Sequence, residues 1–209
     1  MKPCIINAYS ETKGSEKYFK SREPFKESFS ELKIIFSTYP GNLERFMHIP
    51  DVLSKNQWYI FTDTDDVIMQ SDVPDLHAIQ EGVIVENEGE IHENSYWKPF
   101  CQNKFKHLLK KPIYNAGVFA MKGSYLLDFI DLLSTWRDKN DTGNVDQLIF
   151  NMFCHKVLGG KVYEHKTLFT TLYANMDKGL IEKKDKRWVT KTGSLITFVH
   201  ANGSYKKYL

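Results

Sequence analysis

Residues 58–62 read WYIFT, and three of the next four positions are carboxylates: Asp63, Asp65 and Asp66. A short run with no polar alternation suits a strand buried on both faces, which needs a layer of structure on either side of its sheet. The rest of the chain supplies such layers. CIINAY, KIIFSTY, GVIVEN, KVYEH and SLITFVH read as further strands, and PIYNAGVFAMK is apolar around a central Asn-Ala-Gly. Between them lie segments of helical period. FKESFSELK has Phe25, Phe29 and Leu32 on one face, NLERFMHIPDVLSKN starts as a helix capped by Asn42, and SYLLDFIDLLSTW turns Leu126, Leu127, Ile130 and Leu133 inward. VDQLIFNMFCHKV makes another helix. Strands alternating with helices predict an α/β fold with a mixed, mainly parallel central sheet flanked by helices. At 209 residues the chain is expected to form one domain, 1–209.

Ligands of open α/β sheets sit at the carboxyl ends of the strands. Asp63–Asp66 follow one predicted strand, and His200 closes another. Crowded carboxylates stay ionised only beside a cation, and no Lys or Arg is near them in sequence. In extended backbone Asp63 and Asp65 share a side; if the chain turns after Thr64, Asp63 and Asp66 converge instead. Oxygen ligands suit Mg²⁺ or Mn²⁺, and an added imidazole tilts the choice to Mn²⁺. The plainer alternative is a solvated acidic loop. Two enzyme classes place such a motif after an apolar strand. In haloacid-dehalogenase-like phosphohydrolases Asp63 would be the nucleophile and Asp65 the acid/base. That reading needs the motif on the first core strand and a later acidic pair, which neither GVIVENEGE nor the chain after residue 120 offers. The other class is the metal-dependent nucleotide-sugar glycosyltransferases of GT-A (Rossmann-like) fold.

Four segments, in order, carry a resemblance to the second class. LERFMHIPDVLSKNQWYIFTDTDDV, YNAGVFAMK, DQLIFNMF and FVHANGSYKKY resemble the Arg-containing helix and D-x-D strand, the N-x-G segment, the D-Q-x-x-x-N helix and the closing His-Gly-Lys run of glycosyltransferase family eight. They are also similar to the glycosyltransferase domain of procollagen lysyl hydroxylases, where the acidic motif is D-x-x-D. The likeness spans residues 40–209. It implies a metal held by Asp63, by Asp65 or Asp66, and by His200. It implies Asn202, Gly203 and Lys206 at the donor diphosphate, with Lys207 behind them. Arg45 would reach the donor phosphate or sugar, and Ala8 and Tyr9 the uracil of a UDP-sugar. Asn115, Asp146 and Gln147 would contact sugar hydroxyls or the reacting centre. An Asp66 directly after D-x-D departs from family eight, and DKGLIEKKDKRWVTKTG has no counterpart in it.

The expected function is metal-dependent transfer of a sugar from a nucleotide-sugar donor to a hydroxyl; a non-catalytic nucleotide-binding module is the non-enzyme alternative. The net charge of +2 divides into −6 over residues 1–105 and +8 over 106–209, which suits an anionic ligand on the second half. NKFKHLLKKP and KKDKRWVTK set aromatics among lysines, a pattern compatible with DNA, so a hydroxymethylated base is one expected acceptor beside a glycan or protein hydroxyl. Three scattered cysteines, Cys4, Cys101 and Cys154, make no zinc or disulfide pattern. No apolar run approaches membrane-span length. MKPCIINAYSE turns polar too early for a signal peptide. A cytoplasmic setting is the expectation.

Overall fold

Strand β3, Trp58–Thr62, alternates as a two-sided strand must: Trp58 and Ile60 pack into one apolar cluster, Tyr59 and Phe61 into another, and all four are at most 2% exposed. The structure is a computed structural model. It describes residues 3–10, 32–37, 46, 53–63, 66–76, 79, 82–137, 146–159, 161–201 and 203–209, with side chains for all of these except 7–10, 32–37, 137 and 203. The helix expected in FKESFSELK lies outside the described residues up to Glu31, and its last two residues, Leu32 and Lys33, belong instead to a strand; nearly all of NLERFMHIPD lies outside the described residues too.

β3 lies in a six-stranded sheet. Its members are β1 (Cys4–Ser10), β2 (Leu32–Ser37), β5 (Val83–Val85), β8 (Val118–Lys122) and β9 (Val162–Glu164), in the order β2-β1-β3-β8-β5-β9. Pairing is parallel except on the two sides of β8, the mixed, mainly parallel sheet expected from the strand–helix alternation. β8 repeats the two-sided pattern: Val118 and Ala120 face one way, Phe119 and Met121 the other.

Helices cover the face that carries Phe61. In the present numbering α1 is Lys98–Asn103, α2 Gly123–Arg137 and α3 Asp146–Met152. From α2, Leu126, Phe129, Ile130 and Leu133 enter the core, whereas Leu127 is only half-buried. Phe129 takes the inward place expected for Leu127 because it lies three residues on from Leu126, on the same helical face. Phe119 joins the layers, its ring 5.1 Å from Phe61, 4.6 Å from Phe150 and edge-on to Phe129 at 6.2 Å. The last turn of VDQLIFNMFCHKV, Phe153–Val157, is a π-helix.

A second, three-stranded sheet covers the other face. It comprises β4 (Val67–Met69), β10 (Phe169–Thr171) and β13 (Phe198–His200), ordered β10-β13-β4. Val67, Phe169 and Phe198 pack against Trp58, Ile60 and Ala120. PIYNAGVFAMK splits between sheets: β7, Pro112–Tyr114, pairs with β6, Asn87–Ile91, while β8 joins the main sheet. DKGLIEKKDKRWVTKTG forms a hairpin of β11 (Ile181–Lys184) and β12 (Arg187–Thr190). Its two-residue turn puts Asp185 and Lys186 at φ 46° and 67°, the left-handed backbone that matches strand twist. Among the described residues no helix is long and apolar enough to cross a membrane.

Removing the Phe119 ring leaves a void among three other rings. Phe119→Ala should lower unfolding free energy by about 3–5 kcal/mol, read from urea denaturation. A loss below about 1 kcal/mol would show that this stack does not bind the helices to the sheet.

Candidate active site

Asp63 and Asp66 bracket the point where the chain changes sheets. β3 ends at Thr62 in the main sheet, and β4 begins at Val67 in the second. β13 pairs antiparallel with β4 so that His200 stands opposite Val67, and the Ala201 N–H donates to the Asp66 carbonyl at 2.7 Å. The Asp63 N–H donates to the Gly117 carbonyl at 2.7 Å. These backbone contacts bring the side chains together: His200 Nε2 lies 3.3 Å from Asp66 Oδ1 and 3.8 Å from Asp63 Oδ2.

The three residues offer ligand atoms that all lie within 4.8 Å of one another, so they can hold a metal ion. Two observations fit a cation here. Asp66 Oδ1 and His200 Nε2 are buried without a hydrogen-bond partner; their 3.3 Å approach is an ion-pair contact, not an aligned hydrogen bond. Native interiors rarely leave such atoms unmatched, at about 1–3 kcal/mol each. The donor set of two carboxylates and one imidazole also suits Mn²⁺.

His200 is held from behind. Its Nδ1 donates to Asn115 Oδ1 at 3.0 Å, which leaves Nε2 aimed at the carboxylates. Asn115 is 2% exposed, and its amide is heavily engaged. Oδ1 also accepts from the Gly117 and Val118 N–H groups at 2.9 and 3.1 Å, and Nδ2 donates to Glu88 Oε1 at 2.8 Å. Gln147 and Asn151 of α3 clamp the same turn. Gln147 accepts from Ala116 N–H at 2.9 Å and donates to the Tyr114 carbonyl, while Asn151 bonds both N–H and carbonyl of Tyr114. Gly117 supplies the space: a Cβ there would stand 2.4 Å from His200 Cε1 and 2.6 Å from Asp63 Oδ2.

Charge in the group is mutually supporting. Burial works against a charged His200, but Asp66 and Asp63 outweigh it and hold the imidazole above its ordinary 6.5. Burial likewise opposes the Asp66 charge, and His200 with Lys206 reverses this, holding the carboxyl below its ordinary value. A raised imidazole adds stability that is complete below about pH 6.5 and fades as pH climbs through the raised value; the lowered carboxyl adds stability that fades as pH falls through its own. A metal must displace the His200 proton, so ion binding strengthens toward alkaline pH.

The structure brings together Asp63, Asp66, His200, Asn115 and Lys206. The Lys206 ammonium lies 3.3 Å from Asp66 Oδ2, on the Gly203–Tyr208 3-10 turn. Lys183 donates to the Tyr208 carbonyl at 2.7 Å, and Tyr205 donates to Asp177 at 2.6 Å, which ties this turn down. Lys207 stands over the Tyr208 ring at 5.0 Å. Asp146 is buried in the first turn of α3. Ala8 and Tyr9 lie on β1, opposite Ile35 and Phe36 of β2. Arg45, Asp65 and Asn202 lie outside the described residues. Gly117 belongs to the N-x-G segment but carries no assigned role in it; two site residues escape motif reasoning, the buried Glu86 and Glu88 after β5. Their signal is present in VIVENEG, where two carboxylates leave an apolar strand.

No family model matches the sequence, and no curated protein matches it. Solved structures do. One is a glycosyltransferase involved in glycosylation of the major capsid of PBCV-1, with TM-score 0.58 and 15% identity over 99% of this chain and 97% of that one. Another is the apo form of the glycosyltransferase GlyE of Streptococcus pneumoniae TIGR4, with TM-score 0.53 and 16% identity. The fold is that of known glycosyltransferases. The match takes in 98% of this chain but only 55% of GlyE, so the chain spans about half the length of that protein.

Gly117→Ala should push His200 and Asp63 apart. The expected result is at least a ~10-fold loss of Mn²⁺ affinity by calorimetry, a typical effect of disturbing ligand support, with the circular dichroism spectrum retained. Unaltered affinity would mean that the ion does not need His200 and Asp63 this close.

Proposed function

We propose that the protein is a metal-dependent glycosyltransferase that moves a sugar from a nucleotide-sugar donor, a UDP-sugar, to a hydroxyl acceptor. One observation carries the reading: two acids and a histidine meet at the carboxyl edge of a glycosyltransferase fold, with Asp66 Oδ1 and His200 Nε2 lacking hydrogen-bond partners. Asp63, Asp66 and His200 would hold Mn²⁺, and Mg²⁺ less well because of the imidazole. When bound, the ion supplies positive charge against the donor diphosphate.

The chain's own groups do the rest. Lys206, beside Asp66, meets the departing diphosphate and offsets its charge. Asn202 and Gly203 are assigned to close backbone approach at the phosphates, and Arg45 to the donor phosphate or sugar. Ala8 and Tyr9, late on β1, receive the uracil. Asn115 is a positioning residue: its amide oxygen keeps the proton on His200 Nδ1 and so leaves Nε2 free to ligate. Gln147 sets the 114–116 backbone on which Asn115 depends, and Asp146, one residue earlier, is assigned to the sugar hydroxyls. Asp65 is kept as the alternative, or an addition, to Asp66 at the metal.

Purified protein should hydrolyse or transfer from UDP-sugars in a panel of nucleotide sugars, only with Mn²⁺ or Mg²⁺ present. Asp63→Asn and Asp66→Asn should each lower kcat/KM by at least about 100-fold, the scale for losing transition-state charge stabilisation, and Asp65→Ala by less. Turnover of a phosphomonoester with no nucleotide sugar consumed would replace this reading with the phosphohydrolase one. Equal and negligible losses for Asp63 and Asp66 would remove the metal site.

A further inference from the structure

A cavity of about 590 Å³ opens at the carboxyl ends of β5 and β9. Its wall includes Glu86, Phe169, Thr170, Asn175 and the loop through Thr190–Thr192. Such a volume suits a ligand of one to two sugar rings. Glu86 lines the cavity and is also bonded to residues that neighbour or support the candidate active site. Its carboxylate accepts from the Thr171 hydroxyl and from Asn175 Nδ2, and its backbone carbonyl accepts from Asn115 N–H at 3.0 Å. Thr171 stands opposite His200 in the β10–β13 pairing, and Asn115 holds the His200 ring. Asp63 leaves β3 and Glu86 leaves β5, two steps apart in the sheet, or roughly 10 Å at usual strand spacing. Asp63 and Glu86 therefore leave the same edge of the sheet.

The lining is specific in its chemistry. Lys166, Lys178 and Lys191 line it, against Glu164 and Glu86. Lys178 is an ordered cation: its ammonium donates to the Glu88 and Gly89 carbonyls at 3.2 and 3.3 Å, and one of its three protons remains for a ligand. Gly89 makes room for it, since a Cβ there would lie 2.5 Å from the ammonium. Burial, aided by the Glu88 charge and opposed by the Thr171 hydrogen bonds, pushes Glu86 up to about 7. Burial thus works against its negative charge, so it repels an anion less than an exposed carboxylate would.

We propose that this cavity binds the acceptor, and that the acceptor is a saccharide bearing an anionic group, a carboxylate or a phosphate. Glu86 pairs with its hydroxyls, and Lys166, Lys178 and Lys191 face its charge. The assignment rests on the glycosyltransferase reading for the word acceptor; the binding of an acidic saccharide stands on the cavity alone.

The test separates the two. Saturation-transfer NMR on the whole protein, without donor, compares glucose, glucuronic acid and glucose 6-phosphate. The two acidic probes should bind at least about 10-fold more tightly than glucose, and the Lys166→Gln/Lys191→Gln double variant should remove most of that preference. Preference for glucuronic acid or for the phosphate distinguishes the two anions. With Mn²⁺ and a donor present, the double variant's loss should fall on the acceptor KM and not on the donor KM. Equal binding of all three probes, binding of none, or a preference that survives in the double variant would overturn the proposal. So would sugar transfer to a hydroxymethylated DNA duplex with no saccharide accepted. Donor turnover scores the transferase reading separately: its absence, with acidic saccharides still bound as expected, would refute that reading and leave the cavity's ligand class standing.

Discussion

Asp66 and His200 are held 3.3 Å apart at the seam between two sheets, neither making a hydrogen bond through the facing atoms. Burial opposes both charges, their mutual attraction sustains them, and the surrounding structure holds the pair in place. The chain crosses from β3 to β4 between the two acids, and β13 lies in register with β4, so the imidazole arrives opposite Val67. Packing secures the crossing from both faces. Phe61 and Phe119 anchor the main sheet to its helices, and Val67 and Phe198 bind the second sheet to Trp58 and Ile60. Moving either sheet relative to the other would part Asp63, at the end of β3, from Asp66 and His200, which the second sheet holds together.

Polar contacts then fix what packing leaves free. A single turn, Asn115–Gly117, supports the site in three ways. The Asn115 amide sets the His200 tautomer, the Gly117 carbonyl anchors the Asp63 backbone, and the missing Gly117 Cβ leaves room for both side chains. α3 holds this turn through Gln147 and Asn151. Behind Asn115, Glu88 accepts from its amide, and burial holds Glu88 above its usual carboxylate value. The same strand end provides Glu86 to the neighbouring cavity. The metal-binding group and the cavity thus share one framework, and a substitution at Glu86 or Asn115 acts on both.

Much of this was legible in the sequence. WYIFT, GVIVEN and the helix of residues 123–137 declare themselves by period and by burial on two faces, because the local pattern and the tertiary environment agree. The convergence of Asp63 and His200 could be anticipated from their places at strand ends. The sequence left Asp65 and Asp66 both open as their partner. The place of Asp66 depends on the chain leaving one sheet for another, a tertiary event with no local period. Asn115 and Gln147 were marked by motif order, yet the contacts they make are with His200 and with the 114–116 backbone. Those contacts come from the stacking of α3 on the turn, which sequence spacing does not encode. Glu86 and Glu88 were hidden for a simpler reason: alternating acids after a strand look like an exposed edge until β10 and the following helical turn, Leu172–Asn175, cover them.

The central claim is that Asp63, Asp66 and His200 form one metal site. Pulsed electron paramagnetic resonance of the protein with one equivalent of Mn²⁺ tests it directly. A single histidine nitrogen coupling should appear on the bound ion and vanish in His200→Ala. Mn²⁺ bound with no nitrogen coupling, or with a coupling that persists in His200→Ala, would contradict the account.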